Sequence, residues 1–218
     1  MKRLFKSRTF LQARWLPRFN GKALCRRLSA TCPVGHDPYT PTTQAIAMTD
    51  RAAELRSKLI RNLDSIDKTR ELREPNYDTL CARLGMGTAA TRLGISIDTV
   101  AAGMRSCPYH FHYAQEEAFV ILEGSGSLRV AGEMLAIAVG DVVFIPPGPQ
   151  YPHQIINTSA TPLKYLSIST RDSPEVVEYP DSGKYLATAA GQRADGSVQV
   201  FGRMHSEADD LDYWHGEP

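Results

Sequence analysis

The chain has 218 residues, 42% of them hydrophobic, and no apolar run approaching the roughly 18 residues of a membrane-spanning helix, so it reads as a soluble globular protein of one domain plus extensions. Its formal net charge of +1 hides an asymmetry: residues 1–47 carry nine Lys/Arg against one Asp, and residues 48–218 carry 16 Lys/Arg against 23 Asp/Glu. The acidic bulk argues against a nucleic-acid footprint on the folded part, and neither nucleic acid nor membrane is an expected partner.

Residues 1–47 are Arg-rich, acid-poor and dotted with Ser/Thr, which reads as a disordered, flexible basic leader. Leu4, Phe5, Phe10, Leu11, Trp15 and Leu16 could form the apolar face of a transit-like segment, whereas Arg14 and Arg18 interrupt any secretory signal core. The other reading is a translation start at Met48. The expected location is cytoplasmic, or mitochondrial if residues 1–47 are a transit peptide.

Beyond Thr49, Ala52, Leu55, Leu59, Leu63 and Ile66 recur at spacings of three and four, predicting an amphipathic helix within a helical N-terminal arm over 48–90. One helix does not make a helix-turn-helix unit. From Thr91 the pattern becomes β. Gly94 to Val100 alternates, Ala118 to Leu122 is an apolar strand, and Ser127 to Val130 with Met134 to Ile137 forms a hairpin about Ala131-Gly132. Val142 to Ile145, His153 to Asn157 and Leu163 to Ser169 follow. Short strands punctuated by Gly and Pro indicate an all-β sandwich or barrel, placed at 91–185, with no internal repeat. Residues 186–218 read as a C-terminal extension whose His205 and His215 belong to a tail rather than a site.

Chemistry concentrates between Pro108 and Gly124. Alternate strand residues share a face, so His110 and His112 point together while Phe111 points away. Ala114-Gln115 allow a bend that swings Glu117 toward the same pocket. A third imidazole, His153, starts a separate strand directly after a Pro/Gly loop. Imidazole suits Zn, Fe, Ni and Cu, and a carboxylate adds Mn, so the ligand types alone do not select the metal. Cys25, Cys32, Cys81 and Cys107 show neither CxxC spacing nor disulfide density and read as free thiols of a reducing compartment. Cys107, three residues before His110, is read as a packing thiol.

These residues resemble the motifs of the cupin superfamily, and the chain is similar to its small single-domain (type 2) members of unassigned function. Gly103, His110, His112, Glu117 and Gly124 match the first motif, with six residues between Gly103 and His110 where the pattern has about five. Gly140, Pro146, Gly148, His153 and Asn157 match the second, with four residues, Pro149 to Pro152, where it has two. The match is close over about residues 90–170. It implies a cupin jelly-roll β-barrel of the RmlC-like kind, with His110, His112, Glu117 and His153 holding one divalent metal ion (Fe, Mn, Zn or Ni). Glu117 is preferred over Glu116 because it stands six residues before Gly124. Asn157 is expected to support the ligands or the local structure rather than ligate.

The resemblance further implies a metal-dependent enzyme acting on an oxygen-bearing small molecule, as a dioxygenase, isomerase or lyase. A non-catalytic binding or sensing protein is the alternative. The proton carriers nearest in sequence are Tyr109, Tyr113 and Tyr151, and no catalytic residue is assigned. A homodimer is expected, because barrel-edge strands need cover.

Overall fold

Period-two alternation organises the computed structural model, which describes residues 49–193, 195, 197–206, 208 and 210–218. The leader expected at 1–47, with Cys25 and Cys32, lies outside the described residues. A single helix, α1 (Asp50–Leu59), precedes thirteen strands among the described residues. They are β1 (Thr69–Arg73), β2 (Tyr77–Arg83), β3 (Leu93–Val100), β4 (Phe111–His112), β5 (Glu117–Glu123), β6 (Ser125–Val130) and β7 (Glu133–Ala138). β8 (Val142–Ile145), β9 (His153–Ile156), β10 (Leu163–Thr170), β11 (Glu175–Tyr179), β12 (Lys184–Gln192) and β13 (Val198–Ser206) complete the set. No helix among the described residues is long and apolar enough to cross a membrane.

The helix is shorter than its apolar stripe. Thr49 caps it by accepting from the Ala52 amide at 3.2 Å, Asp50 complements its N-terminus, and Arg56 and Lys58 complement its last turn. It stops at Leu59 because Ile60 is extended and Asn62 accepts from the Asp64 and Ser65 amides, a local turn that competes with further helix. Leu63 and Ile66 still do what the stripe suggested: outside the helix, they pack with Ala82, Leu84 and Ile97 on the outer face of the sheet. The segment expected as a helical arm, 48–90, also holds β1 and β2. Likewise, most of β12 and all of β13 fall in the segment expected as an extension.

The sheets have the two-layered arrangement of a jelly roll. One layer has the order β1-β2-β3-β10-β5-β8; the other contains β13-β12-β11-β4 and β7-β6-β9. The two parts of the second layer meet at the backbone bridge between His110, just before β4, and His153 of β9, while Arg105 bridges Ile156 of β9 to Tyr77 of β2 in the first layer.

Antiparallel register places inward residues in cross-strand rows. Val100 pairs with Leu163; Asp98 pairs with Tyr165, which pairs with Ile121; Ser96 pairs with Ser167, which pairs with Phe119; and Gly94 pairs with Ser169, which pairs with Glu117. The interior therefore grades from an apolar end to a polar one. The apolar end centres on Val100, Ile121, Leu128, Ile155 and Leu163. At the end of β5, Gly124 (φ +78°) is required, since a Cβ there would lie 2.4 Å from the Pro162 carbonyl oxygen.

Leu163 is fully buried in the apolar end. Leu163→Ala is expected to cost about 2–5 kcal/mol in denaturant unfolding while leaving ligand geometry at the opposite end intact. A loss below 1 kcal/mol would show that this end is not the folding core.

Candidate metal centre

The polar end draws its side chains from three strand termini. His110 and His153 face each other across a backbone bridge, with His110 N–H donating to His153 O at 3.1 Å and His153 N–H donating to His110 O at 2.7 Å. That pairing fixes their ring centroids 4.6 Å apart. His112, two residues on and pointing the same way, lies 5.1 Å from His110 between centroids, while Phe111 is buried on the other face. Glu117 opens β5.

The four groups converge. Glu117 Oε2 lies 2.9 Å from His153 Nε2, 3.4 Å from His112 Nε2 and 3.9 Å from His110 Nε2. Among the described residues, His110, His112 and Glu117 offer one donor atom each within 4.8 Å of one another, a group that can hold a metal ion. His153 joins through its 2.9 Å approach to Glu117. Glu116, by contrast, is exposed. The extra two residues before His153 are absorbed in a turn where Tyr151 N–H donates to Gly148 O at 3.3 Å, and Gly148 N–H donates to His112 O at 2.7 Å.

The hydrogen bonding leaves this group unsatisfied. His110 Nδ1 is 2.9 Å from Pro108 O and His153 Nδ1 is 3.2 Å from Tyr151 O. In the tautomer that metal binding requires, those nitrogens donate and the lone pair lies on Nε2, directed at a carboxylate oxygen. Two acceptors then face each other. Glu117 Oε2, His153 Nε2 and His112 Nδ1 are buried without hydrogen-bond partners. The first two face each other at 2.9 Å, while His112 Nδ1 is turned toward Glu175; at about 1–3 kcal/mol for each buried atom left unpaired, the facing pair favours a cation between them. The donor set of three imidazoles and one carboxylate fits a divalent metal.

Electrostatics agree. Burial pushes the His112 ring down to about 4 against the pull of Glu117, so it stays neutral near pH 7 and available as a ligand. Burial pushes the Glu117 carboxyl up, but a hydrogen bond from His153 and the positive charge of the neighbouring imidazoles when protonated outweigh it and hold it below the usual range, so the group favours its carboxylate form wherever a cation is at hand. Burial also pushes the Cys107 thiol up to about 12, leaving it a protonated neighbour 3.8 Å from His110 Nδ1.

Several supporting residues were not legible in the sequence. Glu175, 3% exposed, gathers the amides of the bend between His112 and Glu117: Tyr113 and Ala114 donate to one carboxylate oxygen at 3.0 and 3.5 Å, and Gln115 to the other at 2.8 Å. The same carboxylate stands 3.7 Å from His112 Nδ1, placed to orient that ring. Asp98, 9% exposed, sits on the wall of the same cavity and accepts from Ser96 Oγ at 2.5 Å.

The cavity has a volume of about 680 Å³, with the four clustered residues, Asp98 and Tyr179 among its lining. None of the three tyrosines singled out from sequence lines it. Tyr109 is buried beneath the Arg129 guanidinium, 3.8 Å from the ring centroid, and Tyr113 donates to Glu178. Asn157 has a structural role, its amide tying a loop by donating to Val100 O and Thr161 O at 2.9 and 2.7 Å. His205 stacks on Tyr185 in the β12–β13 hairpin.

Glu175→Gln is expected to weaken metal affinity roughly 10–100-fold with little loss of fold, because the ligand-bearing bend loses one carboxylate acceptor. Metal titration of the purified variant checks this; unchanged affinity would leave Glu175 a turn residue only. Burial raises the folded-state pKa of Asp98, offset partly by bonds from Ser96 and Cys81. A raised folded value means that Asp98's contribution to stability is full below its unfolded pKa near ~4 and is lost as pH rises through the folded value. Asp98→Asn should therefore gain thermal stability relative to the parent as pH rises from 4 to 8, and a constant difference across that range would contradict it.

Residues 96–169 match the family model described as a cupin domain. An uncharacterised protein of Methanocaldococcus jannaschii is 37% identical over 73 residues, 32% of this chain and 57% of that protein, so the chain spans little more than half the length of this curated relative. A crystal structure of a candidate sugar phosphate isomerase from Acidithiobacillus ferrooxidans is similar with a TM-score of 0.57 and 26% identity, covering 72% of this chain and 97% of that one. A sugar phosphate isomerase of the cupin superfamily from Silicibacter pomeroyi shares the fold, with a TM-score of 0.56 and 22% identity over 70% of this chain and 96% of its own. Residues 96–169 are therefore a cupin domain.

Proposed function

We propose that the protein is a metal-dependent enzyme acting on an oxygen-bearing small molecule, with His110, His112, Glu117 and His153 as the ligands of one divalent ion. The observation that carries this reading is the approach of three imidazole Nε2 atoms to within 3.9 Å of one buried carboxylate oxygen. Bound there, the ion would polarise a carbonyl or hydroxyl oxygen of the substrate. Among dioxygenase, isomerase and lyase chemistry, the isomerase type is favoured, since the structural relative at 26% identity carries a sugar phosphate isomerase name.

The chain's own residues supply the rest. The cavity is large enough to enclose a small metabolite, and its apolar floor of Phe119, Ile155 and Tyr165 limits water at one end. Asp98 holds a proton more readily than an exposed carboxyl, because burial disfavours its charge. A proton carrier on the cavity wall is what turnover needs and what simple ligand holding does not, which favours an enzyme over a binding protein. Two features support a homodimer: β7 and β8 are sheet edges, and both expose apolar side chains, Met134, Leu135, Val142 and Phe144. Cys81 and Cys107, both free thiols, suit a reducing compartment such as the cytoplasm.

The test is metal content by elemental mass spectrometry on the full chain purified without added metal. Near-stoichiometric divalent metal is expected, lost together with thermal stability in His112→Ala and in Glu117→Ala. Full retention in either variant would refute the ligand assignment, and a parent protein that binds no metal would remove the enzyme reading.

A further inference from the structure

The cavity wall beside the metal cluster carries a second kind of chemistry. Arg83 ends β2 and lies in one cross-strand row with Ser96 and Ser167. Arg171 follows β10 two residues after Ser169, whose register partners are Gly94 and Glu117. All these positions face the cavity. Both arginines therefore stand at the end of the sheet where Glu117 begins β5. Neither guanidinium forms an ion pair or hydrogen bond among the described residues, and the hydroxyls of Ser167 and Ser169 are likewise unpaired there. Arginines on folded strands commonly find a carboxylate. Two left free beside free hydroxyls on a concave wall are a ready receptor for an anion.

The spacing sets the size of the ligand. Neighbouring strands lie about 4.8 Å apart, so Glu117 on β5 and Gly94 on β3 are roughly 10 Å apart across the sheet. The Arg171 side chain runs over Gly94, its Cγ lying 3.7 Å from where a Cβ would stand; a larger residue there would crowd the arginine and the Ser169 hydroxyl, 2.7 Å from the same point. A molecule reaching from the clustered ligands to the guanidinium would be about 8–12 Å long and would pass the serine hydroxyls on the way. With a divalent ion on Glu117 and two guanidinium groups, that end of the cavity favours a doubly charged anion over a neutral molecule.

We propose that Arg83 and Arg171 form an anion subsite that takes the phosphate of a small polyhydroxylated phosphate ester, whose hydroxyls pass Ser167 and Ser169 and whose other end reaches the metal cluster. The subsite rests on the metal-dependent reading above and names its substrate class: phosphorylated polyols or sugars rather than neutral or merely carboxylated ones. The arginines hold and orient; they take no part in bond making.

The test is isothermal titration of the full metal-loaded chain with inorganic phosphate, glycerol 3-phosphate, glycerate and glycerol, repeated on Arg83→Ala, Arg171→Ala and Ser167→Ala, with metal content measured on every sample. Phosphate and glycerol 3-phosphate are expected to bind, each arginine variant to weaken both roughly tenfold with metal content unchanged, and Ser167→Ala to weaken glycerol 3-phosphate more than phosphate. Unchanged phosphate binding in both arginine variants would overturn the subsite, and glycerate binding as tightly as glycerol 3-phosphate would overturn its assignment to phosphate. The same titrations on His112→Ala separate the two readings. Arginine-dependent phosphate binding by protein that never held metal would leave the subsite standing and remove the metal reading, whereas stoichiometric metal with arginine-independent phosphate binding would do the reverse.

Discussion

One buried carboxylate oxygen, Glu117 Oε2, faces three imidazole nitrogens, and the polar end of the barrel is built around that confrontation. An unpaired charge in such surroundings costs several kcal/mol, and imidazoles that turn their lone pairs inward, as ligation requires, need a cation between them and the carboxylate. The backbone leaves the side chains little room to escape. His110 and His153 are locked together by reciprocal main-chain hydrogen bonds, and Glu175 clamps the bend between His112 and Glu117 through three amides. The fold thus holds the groups in the arrangement that the proposed metal centre requires, before any ion arrives.

The rest of the barrel offsets that cost by dividing its interior. Along β3 and β10, inward side chains change from Val100 and Leu163 through Asp98 and Tyr165 to Ser96, Ser167, Gly94 and Ser169. The same alternation that buries the first pair exposes the last to the cavity, so one structural rule yields both a folding core and a reactive wall. On the outer face, Leu63 and Ile66 cover Ala82, Leu84 and Ile97, giving the functional sheet a second apolar layer. Stability and chemistry thus occupy opposite ends of the same strands.

The convergence of His110, His112, Glu117 and His153 was legible because these residues obey short-range rules: period two joins His110 to His112, a short bend returns Glu117, and a Pro/Gly loop restarts the chain at His153. Glu175 was not, because it lies 58 residues from Glu117 and acts on main-chain amides that have no signature in sequence. Asp98 was hidden for a different reason. Its alternation with Ile97 marks only a strand, and the face it takes depends on pairing with Cys81 and Tyr165. The apolar stripe over 52–66 gave the right packing partners but the wrong local structure past Leu59, where Asn62 turns the chain. β1, fully exposed, offers no alternation of polarity at all, and only its register with β2 makes it a strand.

The coordination sphere itself is the most direct measurement. X-ray absorption on the full chain loaded with a single equivalent of divalent metal should show nitrogen and oxygen neighbours only, with the multiple scattering of three imidazoles. Two imidazoles would place His153 outside the centre, and a sulfur neighbour would bring in the Cys107 thiol; either result would contradict a site in which His110, His112 and His153 close around Glu117.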